Sequence, residues 1–197
     1  MRFAFTAPCV ILLLWVSTPA VASPWIVDKD ASKIEYTYNW SGAEAGGDFG
    51  SFDAEIDFAK DDLANSKVRV VIDMSSVSAA YSQVPAELVK PDWFDVDQFP
   101  KAIFESTSFQ ESDDGSYVAS GTLTLKGITQ PSVLRFQFES YGPVPGRPNS
   151  LQAVMTGATT ISRTSHNVGQ GSWSATDTLA DDVTVMVNIT ADQTTTP

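Results

Sequence analysis

The chain has 197 residues, with 24 Asp and Glu against 12 Lys and Arg and a formal net charge of -12. A surface this acidic repels phosphate backbones and anionic headgroups at long range, which excludes nucleic acid and charge-driven membrane adsorption. The length suits one barrel or sandwich and falls short of two ordinary domains, and a single cysteine excludes a disulfide framework.

Arg2 precedes an apolar run from Ala7 to Val16, and Ala20-Val21-Ala22 is a small-x-small cleavage signal. Residues 1–22 therefore read as a signal peptide, cleaved before Ser23, with residues 23–191 as the folded unit. Cys9 falls inside the leader, so the mature chain carries no thiol. The apolar run is roughly half of the ~20 residues that a membrane-spanning helix needs, and no integral membrane span is predicted.

Alternation of period two then dominates. Ile34, Tyr36, Tyr38 and Trp40 share one strand face, and Phe52, Ala54, Ile56 and Phe58 another, opposite Asp53, Glu55 and Asp57. Val68, Val70, Ile72 and Met74 repeat the pattern. A turn of helix is expected from Val84 to Val89, near residues 84–90, because Pro85 suits a first helical turn and Pro91 stops it. Strands follow from Ala102 to Phe109 and from Tyr117 to Leu125, joined through Asp113-Asp114-Gly115; Lys126-Gly127 reads as a two-residue link to the next strand. Leu134, Phe136 and Phe138 alternate with Arg135, Gln137 and Glu139. Gly142 to Pro148 reads as a rigid loop, and strands are expected from Gln152 to Arg163 and along Val183, Val185, Val187 and Ile189. The tail from Asp192 to Pro197 is expected to be frayed and flexible.

About eight antiparallel strands result, each with one apolar and one wet face. Pattern alone leaves a closed barrel and a sandwich both open.

Catalytic groups are sparse. His166 is the only histidine and no Gly-x-Ser-x-Gly elbow is present, so no catalytic residues and no enzymatic activity are expected. One histidine without a thiol does not make a zinc site, and Asp53, Glu55, Asp57, Asp61 and Asp62 read as a solvated face, not a calcium loop. No metal and no cofactor are expected. Gly169-Gln170-Gly171 lacks the following helix and Lys-Ser/Thr pair of a phosphate loop. The aromatic residues carry more: singly they are core, but together on inward faces they wall a space fit for an apolar chain.

Trp93-Phe94-Asp95, Phe99-Pro100-Lys101-Ala102, Phe104-Glu105-Ser106, Gly121-Thr122-Leu123-Thr124 and Gly127-Ile128-Thr129-Gln130-Pro131 occur in an order that resembles the YceI-like family. Trp25-Ile26-Val27-Asp28 near the start and Ser162-Arg163 with Val168-Gly169-Gln170-Gly171-Ser172-Trp173 near the end extend the resemblance from Trp25 to about Ala191. It implies an all-β fold, an antiparallel eight-stranded lipocalin-like barrel with the short helical insertion, in a protein exported to the periplasm. It also implies binding, storage or transport of a long-chain isoprenoid or other amphiphilic lipid, a bound quinone included, by a lining drawn from Tyr36, Tyr38, Phe49 and Phe52, from Ile72 and Leu88, from Trp93, Phe94 and Phe104, and from Phe136 and Phe138. A self-filled barrel acting as a stress-response or interaction module is the alternative. A homodimer remains open. Two departures stand out: Val84-Pro85 replaces a polar stretch ahead of Leu88, and His166-Asn167 replaces an aromatic-Gly pair, where Asn still tolerates a left-handed backbone.

Overall fold

The computed structural model describes residues 24–195, so the expected leader and its cleavage site lie outside the described residues. Among the described residues, ten strands form one antiparallel sheet. They are β1 (Ile26–Val27), β2 (Lys33–Trp40), β3 (Ala43–Asp48), β4 (Phe52–Asp57), β5 (Lys67–Asp73), β6 (Lys101–Glu111), β7 (Tyr117–Leu125), β8 (Ile128–Pro143), β9 (Ser150–Ser162) and β10 (Leu179–Thr194), with one helix, α1 (Val84–Leu88), between β5 and β6. The spatial order is β3-β2-β10-β9-β8-β7-β6-β5-β4, and β1 adds to β10. The sheet curls into a half-barrel, and two isolated pairs, Trp25 with Ile56 and Phe49 with Val77, stitch its seam.

The strand count exceeds the expected eight because β1 and β3 are invisible to hydrophobic alternation. β3 reads Ala-Glu-Ala-Gly-Gly-Asp, and its glycines are there for close approach. A Cβ on Gly46 would lie 2.1 Å from the Tyr36 carbonyl oxygen, and one on Gly47 1.9 Å from that of Ser78. Two further expectations at strand ends are corrected. Gly142 and Pro143 close β8 by pairing with Gln152 and Leu151. The tail is ordered through Thr194: Asp192 is flanked by Ile26 and Gln152, and its carboxylate accepts hydrogen bonds from Arg147 at 2.8 Å and Gln152 at 2.9 Å.

Parity holds where alternation was clean. Leu134, Phe136 and Phe138 point inward and Arg135, Gln137 and Glu139 are exposed. A register shift between Phe138 and Ser140 then turns Tyr141 to the inside, the kind of bulge that bends and twists a strand. Lys126 and Gly127 take φ of 49° and 72°, the paired left-handed residues of a type I′ hairpin. Asp53, Glu55 and Asp57 are solvent-exposed on the outer face of β4. Among the described residues, no three His, Cys, Asp or Glu side chains gather where they could hold a metal ion.

Candidate functional site: an apolar cavity inside the half-barrel

Inward faces of the strands enclose a cavity of about 300 Å³. Of the anticipated lining, Tyr36, Tyr38, Phe49, Ile72, Leu88, Trp93, Phe94, Phe104, Phe136 and Phe138 all border it. Phe52 does not. Its side chain points inward but is consumed in core packing, at 7 % exposure, beside the seam.

Rings concentrate at the two ends. At the closed end stand Phe58, Phe109, Phe136 and Phe138, and at the open end Tyr36, Tyr38, Phe49, Phe94, Trp93 and Trp173. Between them the wall is mostly aliphatic, built from Val68 and Val70 of β5, Leu134 of β8, and Val185 and Val187 of β10, with Phe104 of β6 as a ring beside Val70. These aliphatic residues were absent from the sequence-based lining, although their alternation already placed them on the same face. A lining drawn mainly from rings, with only Ile72 and Leu88 beside them, left out this part of the wall. Ser132 and Thr159 are the polar interruption, and their hydroxyls face each other at 3.5 Å.

The mouth is assembled from loops. In α1, Pro85 occupies the first turn and Leu88 is buried, while Val84 and Glu87 border the opening. The chain then folds back on itself: Phe94 N–H donates to the Leu88 carbonyl at 2.9 Å and Val96 N–H to that of Val89 at 3.1 Å. Asp95 makes this possible by taking φ of 51°, and it turns Trp93 and Phe94 toward the cavity. Opposite, the Trp173 ring lies 5.5 Å from Trp93 and 5.6 Å from Trp40, which is 38 % exposed. A chain of indoles thus runs from the interior to solvent.

Arg163 fixes this rim. The residue is 3 % exposed, and its guanidinium donates to five backbone carbonyls, those of Ala180, Val168, Gly169, Ala175 and Leu179, at 3.0 to 3.2 Å. Burial pulls its pKa down, and the neighbouring Asp181 carboxylate opposes that pull. Asn167 takes the left-handed conformation, φ 54° and ψ 34°, that its side chain tolerates. Lys126 ties the β7–β8 turn to both loops by donating to the carbonyls of Pro91 at 2.6 Å and Asn167 at 2.8 Å. The Tyr36 hydroxyl donates to the Ser78 carbonyl at 2.7 Å, and burial raises its pKa well above the ordinary phenol value. The Trp93 indole N–H is buried with no hydrogen-bond partner among the described residues.

The YceI-like domain pattern matches residues 25–191. The chain belongs to the YceI-like family. Among its relatives is a UPF0312 protein of Yersinia pestis (strain Pestoides F), 32 % identical over an alignment of 140 residues, with 68 % of this chain and 70 % of the relative covered. Among solved structures, Burkholderia cenocepacia BcnA superposes with a TM-score of 0.74 at 24 % identity, covering 84 % of this chain and 99 % of BcnA. A polyisoprenoid binding domain from Saccharophagus degradans superposes with a TM-score of 0.60 at 13 % identity, covering 87 % and 99 %. At such identities these structures speak for the YceI-like fold alone.

Proposed function

We propose that this YceI-like protein is a periplasmic, non-enzymatic carrier or store for a long-chain isoprenoid-type lipid, a quinone among the candidates, held along the interior of the half-barrel. The observation that carries the reading is the cavity: about 300 Å³, apolar along its wall, closed by rings at one end and opening past α1 and Trp173 at the other. Family membership supports it, as does the fold shared with a domain described as polyisoprenoid binding. Each buried methylene contributes about 0.8 kcal/mol, so a long chain supplies ample transfer energy. What a binder must limit is the ordering of a floppy chain, and a preformed narrow cavity does so. The bordering groups offer no nucleophile held against a base, consistent with binding without chemistry. A self-filled barrel is disfavoured by the same open space. The test is a titration of delipidated protein with an isoprenoid quinone. Quinone quenching of tryptophan fluorescence should saturate at one equivalent and the melting temperature should rise; absence of both effects would overturn the reading.

A further inference from the structure

The closed end of the cavity is built differently from its wall. Phe58 is 5 % exposed, and its ring lies 5.3 to 5.9 Å from the rings of Phe109, Tyr117, Phe136 and Phe138. The Phe58 carbonyl accepts the Trp25 indole N–H at 2.9 Å, which pins the backbone beneath the ring. Phe58, Phe109, Phe136 and Phe138 border the cavity, whereas Tyr117 and Tyr141 form a further layer behind them. Lys60 closes that layer from outside. Its ammonium stands 4.4 Å from the ring centres of both Phe138 and Tyr141 and 5.7 Å from that of Tyr117.

A ring packed on four neighbours is held on those sides by a close-packed interior and has free space only toward the cavity. The aliphatic side chains of the wall, Val68, Val70, Leu134, Val185 and Val187, are only partly buried and line the cavity between its ends. We infer that the Phe58 floor, backed by the Tyr117, Tyr141 and Lys60 layer, is a length stop that makes this site selective for the chain length of its lipid. Phe58 is the residue that sets the limit, and the inference rests on the lipid-binding reading above. A chain end that reaches Phe58 contacts a fixed surface, and any longer chain must leave its excess at the mouth, among the indoles and in water.

The experiment measures the affinity of delipidated protein for a series of all-trans prenols of increasing length. For wild type, affinity should climb with length and then stop climbing. Phe58→Ala and Phe58→Leu should move that limit to longer chains, with a gain of about tenfold for the chain just beyond the wild-type limit, as burying roughly two further methylenes provides. Ala119→Leu should move it to shorter chains, because Ala119 pairs with Phe109 and borders the cavity beside the floor. Should Phe58→Ala fail to fold, Phe58→Leu and Ala119→Leu carry the test. A limit that stays in place in the folded variants overturns the length stop and leaves lipid binding intact. Wild type that binds no prenol of any length overturns both.

Discussion

Arg163 reaches five carbonyls from two loops and the start of β10, a fan that only a planar guanidinium can make. Arg163→Lys keeps the charge but offers one compact donor group, so several carbonyls lose their partner. We expect a loss of about 3 kcal/mol or more in urea unfolding, since hydrogen bonds to a charged group contribute roughly 1.5 to 3 kcal/mol each. His166 beside it is 2 % exposed, and its Nδ1 lies 3.1 Å from the Ile128 carbonyl oxygen. Burial lowers its pKa, against the opposing effect of the backbone carbonyls. The unfolded chain therefore binds a proton at a pH where the folded one does not. Stability from this group is complete above the unfolded pKa of about 6.5 and declines as pH falls below it. The wild-type melting temperature should drop between about pH 7 and about pH 5, and His166→Gln should flatten that slope. An unchanged slope in the variant would assign the effect elsewhere.

At the level of elements, β8 offers the sharpest contrast. Phe136 is 6 % exposed and contacts the rings of Phe58, Phe109, Tyr117 and Phe138, whereas Gln137 is exposed. Phe136→Ala should destabilise by about 3 to 5 kcal/mol, the usual effect of a Phe-sized cavity, and Gln137→Ala by less than about 0.5 kcal/mol. Equal melting temperatures for the two would contradict the register. On β3, Gly47→Ala should be destabilising in the same assay, because the new methyl would lie 1.9 Å from the Ser78 carbonyl oxygen. The contrast between β8 and β3 shows what alternation reveals. β8 buries one face, so its side chains spell out its parity, and the same holds for β2, β4, β5 and β10. β3 is placed by backbone hydrogen bonds to β2, and its glycines answer to carbonyls distant in sequence. The continuation of β10 through Thr194 was hidden likewise: Asp192, Gln193 and Thr194 look like a polar tail until the pairing with β1 and β9 is known.

On the scale of the whole molecule, the cavity was legible as a set of inward rings, and the motif order supplied the family. The sequence pattern did not reveal how those rings divide between floor and mouth, because that depends on which strand ends meet across the curled sheet. Nor did it distinguish Phe52, packed into the core, from Phe58, which continues the same parity just past the end of β4 and faces the space. The chain's formal net charge of -12 opposes approach to anionic surfaces, so in the proposed function the apolar interior and the tryptophan-lined mouth are what would meet a lipid. The most direct test is organic extraction and mass spectrometry of the protein purified from its own host. Wild type should yield close to one long-chain isoprenoid-type lipid per protein, reduced or altered in Phe136→Ala. Folded wild type that yields no lipid would contradict the proposed function.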